Sequence, residues 1–341
     1  MAGEKGAAGT MQAVRIDDYG SADVCRLETV AVPRPGAGEV RVRLAVAGLN
    51  FIDVHIRLGR YAQSETYRNA LPMTLGMEGA GVVEAVGEGV ADFAPGDRVA
   101  WCIVRSSFAE HAVVPAAKLV RVPDGIDLGD ACALMLQGLT AHYLAHSAFE
   151  LQPGHTCLVH AAAGGVGGLL VQLARLRGAT VIATVGSPEK AELARALGAD
   201  HTILYREQDF REEVLRLTGG RGVDVVYDSI GRDTIDRSIR SLRRRGLCIN
   251  YGGASGLVEH IVPLELGEAG SVFFTRPHLA DYVATPEELR ARAGELFDHV
   301  AAGRLQVRVD RRFALADTAE AMRYLEAGRS RGKLLLEMPP C

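Results

Sequence analysis

The stretch His160-Ala161-Ala162-Ala163-Gly164-Gly165-Val166-Gly167-Gly168 constrains this chain more than any other. It follows the apolar run Thr156-Cys157-Leu158-Val159 and opens into a helical pattern from Leu169 to Arg177. A strand, a glycine-rich turn and a helix start together make a phosphate site. The glycines let the backbone approach a pyrophosphate, and the free N–H groups at the helix N-terminus point at it. A second apolar run, Thr180–Val185, stands where the next strand of a dinucleotide-binding unit belongs. The turn reads Ala161-x-x-Gly164-x-x-Gly167, with alanine in place of the first glycine of the common fingerprint.

The surrounding rhythm agrees. An apolar helical pattern runs from Asp130 to Phe149, and strands and helices then alternate. Predicted strands are Thr156–His160, Thr180–Val185, Thr202–Leu204, Val223–Tyr227, Leu247–Tyr251 and Ser271–Phe274. Predicted helices are Gly165–Arg177, Pro188–Leu197, Phe210–Thr218 and Thr234–Leu242. Such alternation predicts an α/β doubly wound parallel sheet. Before it, short β runs are separated by turn chemistry such as Pro33-Arg34-Pro35-Gly36 and Pro95-Gly96-Asp97. The runs include Met11–Ile16, Val40–Val46, Gly79–Val86, Asp97–Val104 and His111–Val122, and they predict a mostly antiparallel barrel or sandwich. A late helix, Asp317–Ala327, and strand, Lys333–Glu337, suggest that the chain returns to this first domain. The expected division is 11–127 with 302–341, and 128–301. Residues 1–10 read as a disordered extension, with Met11 a plausible start.

Composition narrows the function classes. The chain has 341 residues, 48% of them hydrophobic and 23% charged, with a net charge of -4. That balance gives no reason to expect nucleic acid or an anionic membrane as partner. Arg243-Arg244-Arg245 reads as a solvated turn. No apolar run approaches the ~18 residues of a membrane span, and no secretory leader is visible. Six cysteines, at 25, 102, 132, 157, 248 and 341, form no Cys-x-x-Cys pair. They argue against a disulfide framework or structural zinc lobe and favour a reducing, cytoplasmic setting. Cys157 and Cys248 read as small core residues.

Several further segments carry a resemblance. They are Gly48-Leu49-Asn50-Phe51-Ile52-Asp53, Gly76-Met77-Glu78-Gly79-Ala80-Gly81, Leu136-Gln137-Gly138-Leu139-Thr140-Ala141, Val225 to Gly231, and Thr275-Arg276-Pro277. With the glycine turn, the chain resembles the zinc-free quinone oxidoreductases, the zeta-crystallin type, of the medium-chain dehydrogenase/reductase superfamily. The resemblance implies a GroES-like β-barrel domain, a Rossmann domain and an NADPH-dependent reductase.

Cofactor choice is read at the end of the second strand of the doubly wound unit. An NAD site places a carboxylate there for the ribose 2′-OH. Here the strand ends Thr184-Val185-Gly186-Ser187, leaving room for a 2′-phosphate. The resemblance assigns Lys190 and Tyr205 to that phosphate, and a lysine supplies a point charge for it. Gly164, Gly165, Val166 and Gly167 are the expected pyrophosphate contacts. Ser229, Tyr251, Gly252, Gly253, Phe274 and Thr275 stand at the carboxyl ends of predicted strands, where doubly wound sheets bind ligands. The resemblance also implies an arginine near the C-terminus for the phosphate, and the register leaves Arg329 and Arg331 both open, without assigning either.

The resemblance places Asn50 and Tyr61 near the nicotinamide and substrate cleft, and Thr140 on the nicotinamide side. Tyr61 is a candidate donor to a carbonyl oxygen where charge develops. Alternative readings are a turn residue for Asn50, a capping aromatic for Tyr61 and a helix residue bonded to its own carbonyls for Thr140. No metal is expected. Asn50 and Met77 stand where alcohol dehydrogenases of this fold carry a cysteine and a histidine, and zinc needs about three protein ligands. His142 and His146 are i,i+4 on one helix but lack a third ligand motif.

A metal-free site favours acceptors that take hydride with little polarisation, namely quinones and activated enones. Two alternatives stand beside a quinone reductase. One is an ene-reductase acting on an acrylate-like acid or an enoyl thioester, with Arg57, Arg60 and Arg276 as basic groups favouring an acid. The other is a non-catalytic NADPH-binding structural protein. The predicted edge strand Ser271–Phe274 suggests a homodimer.

Overall fold

The computed structural model describes residues 9–65 and 70–339. Two compact units emerge. The first takes in the described residues to Leu136, Thr285–Ala293 and those from Val309 on; the second takes in Gln137–Ala284 and Gly294–Arg308.

The first unit is built from short strands: β1 (Thr10–Ile16), β2 (Arg26–Ala31), β3 (Glu39–Leu49), β4 (Met73–Thr74), β5 (Glu78–Val86), β6 (Arg98–Cys102), β7 (His111–Pro115) and β8 (Val120–Arg121). Alternation in β3 turns Val40, Val42 and Leu44 inward and Arg41 and Arg43 outward, as a half-buried strand requires. These side chains join Ile16, Trp101, Phe108 and Leu334 in one core. Thr10 belongs to β1, paired with Ala31, and Gly9 accepts from the Val32 amide at 2.8 Å. The expected extension is therefore too long by these two residues; residues 1–8 lie outside those described. The run 111–122 is two strands rather than one, because Ala116–Lys118 makes a 3₁₀ turn between β7 and β8.

The second unit carries the parallel sheet: β9 (Thr156–Val159), β10 (Thr180–Val185), β11 (His201–Leu204), β12 (Val223–Asp228), β13 (Leu242–Asn250) and β14 (Phe273–Thr275). Their order is β11-β10-β9-β12-β13-β14, all parallel. That is the doubly wound order whose direction reverses beside the first strand, where nucleotides bind. Leu158, Ile182, Val226, Phe210 and Val214 fill its core, and Cys157 and Cys248 are fully buried small residues. The arginine run 243–245 lies within β13, not in a free turn. The register to β12 slips there, Arg245 takes φ 57°, and Arg243 pairs with Asp224 while Arg244 and Arg245 face solvent.

The chain then adds β15 (Val309–Ala314) and β16 (Lys333–Glu337), and β16 pairs antiparallel with β3. Leu134–Gly138 and Leu144–Ala148 are π-helical turns flanking the α-helical Leu139–Tyr143. Among the described residues, no helix is long and apolar enough to cross a membrane.

Candidate active site

The phosphate-binding geometry starts from one residue with an unusual backbone. Ala161, directly after His160, takes φ 51°, a left-handed conformation that costs a non-glycine residue of order 1–3 kcal/mol. Gly164 N–H donates to the Ala161 carbonyl at 2.8 Å, and a Cβ at Gly167 would lie 2.3 Å from that same oxygen. Turn and helix thus touch backbone to backbone. The helix Gly165–Leu176 begins there, and the N–H groups of its first turn have no carbonyl of their own helix to bond. Gly164, Gly165 and Val166 remain partly open to solvent. A Cβ at Gly165 would meet the Gln137 carboxamide at 1.9 Å, so that amide covers the helix start.

A buried polar network holds this rim. Asp228, at the end of β12, accepts from the amides of Ile230 and Gly231 at 2.9 and 2.8 Å, and from the Thr234 and Ser238 hydroxyls at 2.7 Å each. His160 bridges the Thr184 hydroxyl at 2.8 Å and the Ser238 hydroxyl at 3.0 Å. Burial holds its pKa down against the pull of Asp228. The network fixes the strand ends from beneath. Neither Asp228 nor Ser238 is a site residue by the sequence reading, because they read as ordinary polar residues of a strand end and a helix.

At the end of β10, Gly186 is covered by Tyr205, whose hydroxyl would lie 2.9 Å from a Cβ there. The Ser187 hydroxyl accepts from the Lys190 amide and caps the helix Pro188–Ala196. Gly186, Ser187, Lys190 and Tyr205 therefore share the carboxyl ends of β10 and β11. Ser229 and the 251–253 loop meet similarly: a Cβ at Gly252 would lie 2.5 Å from the Ser229 carbonyl oxygen. Burial pushes the Tyr251 phenol up, opposed by its hydrogen bond with Ser229. Phe274 and Thr275 are half-buried on β14, and Thr140 is buried in Leu139–Tyr143.

In the first unit, Asn50 is buried between two charges. Its side-chain amide donates to Glu78 Oε2 at 2.8 Å, and its carbonyl oxygen accepts from Lys333 Nζ at 2.9 Å. Lys333 and Glu78 pair directly, and both are buried. Glu78 also accepts from the Leu136 amide, a donor in the π turn. A Cβ at Gly48 would lie 2.0 Å from Glu78 Oε2 and 2.7 Å from Lys333 Nζ, so the pair fills the space beside that glycine. The Asn50 amide donates to Asp53 at 2.8 Å; burial raises the Asp53 pKa to about 7, with Lys333 working against the rise. The charge pair escaped the sequence reading. Its available signal was a lysine opening the apolar strand Lys333-Leu334-Leu335-Leu336.

Tyr61 follows the helix Phe51–Arg57 and rests edge-on against His55, ring centroids 5.7 Å apart. Arg57 is not a substrate-facing charge. Its guanidinium is buried against Glu326 at 2.8 and 3.1 Å and donates to the Gly20 carbonyl. Arg60 is exposed, with its guanidinium 3.0 Å from His55 Nδ1. Arg329 stacks on Tyr324 at 5.1 Å.

Comparison with known proteins places this architecture. Residues 36–124 match the alcohol dehydrogenase GroES-like domain, and residues 165–283 match the family described as zinc-binding dehydrogenase. A 2-haloacrylate reductase of Burkholderia sp is 44% identical, over 96% of this chain and 98% of that protein. A quinone oxidoreductase of Pseudomonas aeruginosa is 44% identical, over 93% and 97%. The chain belongs to the medium-chain dehydrogenase/reductase family, in its zeta-crystallin-type quinone oxidoreductase branch. A member of that branch from Escherichia coli, solved as a complex with NADPH, superposes with TM-score 0.92 at 37% identity, covering 96% of this chain and 99% of that one.

The family description includes zinc, and the residues here do not suit that ion. Beside Glu78 stand a carboxamide, Asn50, and a thioether, Met77, neither a usual zinc ligand. The Glu78 carboxylate is already met by the Lys333 ammonium, which fills the cation's place.

Proposed function

We propose that this protein is an NADPH-dependent reductase that passes hydride to a quinone or an activated enone without a metal. The observation that carries the reading is the helix start at Gly165 beside a β10 end free of carboxylate. Bound NADPH supplies the hydride. The turn amides of Gly164–Gly167 hold the pyrophosphate, as helix N-termini do for anions. Lys190, Ser187 and Tyr205 hold the 2′-phosphate, with Gly186 leaving it room. Ser229, Tyr251, Gly252, Gly253, Phe274, Thr275, Thr140 and Asn50 orient the ribose and nicotinamide, and Tyr61 donates to the acceptor oxygen.

A Lys190→Ala variant is expected to bind NADPH about 10-fold more weakly, as the loss of one charged hydrogen bond predicts. NADH affinity should not move. Calorimetric titration of both nucleotides checks this, and an unchanged NADPH affinity would remove Lys190 from the phosphate site.

The acceptor is tested by following NADPH oxidation with 1,4-benzoquinone and 2-chloroacrylate. Faster turnover of the quinone is expected. The 44% identity to a 2-haloacrylate reductase favours the ene-reductase as second reading. Turnover of 2-chloroacrylate with inert quinones would install it. Arg57, spent on Glu326, lends that reading no charge.

We also propose a cytoplasmic homodimer. Free thiols at Cys25, Cys102, Cys132, Cys157 and Cys248 suit a reducing compartment. Strand β14 is a sheet edge among the described residues, and its Phe273 is 62% exposed. An uncovered apolar edge invites a second copy. Phe273→Asp is expected to convert a dimer to a monomer in sedimentation; a monomeric wild type would end the proposal.

A further inference from the structure

Within the second unit, three metal-ligating side chains come together from two stretches of helix. His142 and His146 lie one turn apart, and Glu295 comes from Pro286–Ala301. One ligand atom from each lies within 4.8 Å of the others. The imidazole planes are parallel to within 9°, with centroids 4.3 Å apart. His146 Nδ1 is 2.9 Å from the His142 carbonyl oxygen. A carbonyl only accepts, so Nδ1 carries the proton and Nε2 keeps its lone pair, the arrangement that readies a metal-binding imidazole. His142 Nε2 is 2.7 Å from Glu295 Oε2.

We infer that His142, His146 and Glu295 form a binding site for a divalent transition-metal ion of the zinc class. Two imidazoles and one carboxylate are the donor set of open, three-ligand zinc centres, with water completing the shell. The ion takes the place of the proton shared by His142 and Glu295. Their 2.7 Å contact then opens to about 3.3 Å, the ligand spacing of a tetrahedral ion with bonds near 2.0 Å. Glu295 is the third ligand that the i,i+4 histidine pair lacked in the sequence, and 153 residues separate it from His142.

A second observation points to the same place. His299 follows Glu295 by one helical turn, and its Nδ1 is buried with no hydrogen-bond partner among the described residues. One turn from Glu295 on the same helix, it stands as a further imidazole beside the carboxylate. Arg177, the nearby cation, is turned to the Leu151 carbonyl at 2.9 Å and to Glu150 at 3.3 Å. The exposed side of Glu295 gives the ion a way in. Bound there, it clamps the helix holding Thr140 to the C-terminal half of Pro286–Ala301.

The test is calorimetric titration of tag-free, chelator-stripped full-length protein with Zn²⁺, alongside His146→Gln and Glu295→Gln. Glu295→Gln is the safe variant for folding, because the side chain is exposed and glutamine keeps the hydrogen bond to His142. Wild type is expected to bind Zn²⁺ saturably and to melt at a higher temperature with it. Each variant should bind at least about 10-fold more weakly, the lower end of what even outer-shell partners command. No saturable binding by wild type, or binding as tight as wild type in either variant, would overturn the site. Neither readout uses NADPH or an acceptor, so the result stands apart from the proposed activity.

Discussion

Gly167→Ala is expected to weaken NADPH binding about 100-fold and to destabilise the fold by about 1–3 kcal/mol. The added Cβ would lie 2.3 Å from the Ala161 carbonyl oxygen and 2.9 Å from Ala162 Cα. Both are backbone atoms, so no side chain can swing away. Turn and helix start must separate, and the amides aimed at the pyrophosphate move with them. A shift near 1 Å at such a site is enough for the hundredfold loss. Gly168→Ala is the control, because its Cβ would press only on the Leu197 side chain, at 3.1 Å, with the Ala162 carbonyl oxygen at an ordinary 3.6 Å. Its cost should be small in both measures. Calorimetry with NADPH and urea unfolding check the pair; an unchanged affinity in Gly167→Ala would refute this account of the turn.

The second large effect concerns the charge pair of the first unit. Lys333→Met should cost about 3–5 kcal/mol, because it strands the buried Glu78 carboxylate. Adding Glu78→Gln should recover much of that loss. A neutral glutamine still accepts from the Leu136 amide, and once the Asn50 carboxamide turns over, the glutamine NH2 donates to the Asn50 carbonyl oxygen in place of the lysine. Urea unfolding of the two single variants and the double closes the cycle. Strictly additive losses would show that the two groups do not stabilise one another.

Much of the scaffold was legible in the residues. Strand β10 and strand β16 were placed to the residue, because each is an apolar run cut sharply by turn or charged residues. The glycine turn was legible because a strand, glycines and a helix start leave few other arrangements. Strand β2 was missed: none of its residues is buried, and the charged Glu28 sits on its less exposed face while Leu27 stands on the open one, so no hydrophobic period-two pattern marks it. Helix Pro286–Ala301 also went unassigned, with Gly294 at its centre lowering the local helix signal. The start of β13 was hidden by its arginines, which a slipped register carries out to solvent. The polar anchors were illegible for a different reason. Glu78 and Lys333 stand 255 residues apart, and burial with a partner, not residue type, gives them their role. The same holds for Arg57, whose charge looked available until Glu326 was found upon it.

Gly48 carries a lesson for anyone diversifying this protein. A library randomised at that codon alone should return glycine among its stable members, since any larger residue displaces the Glu78–Lys333 ion pair. Alanine or serine should surface only in clones whose codons 78 and 333 have changed together. Three sites scattered across the gene would thus behave as one inherited unit, and recombination between distant homologues that splits them would yield misfolded offspring.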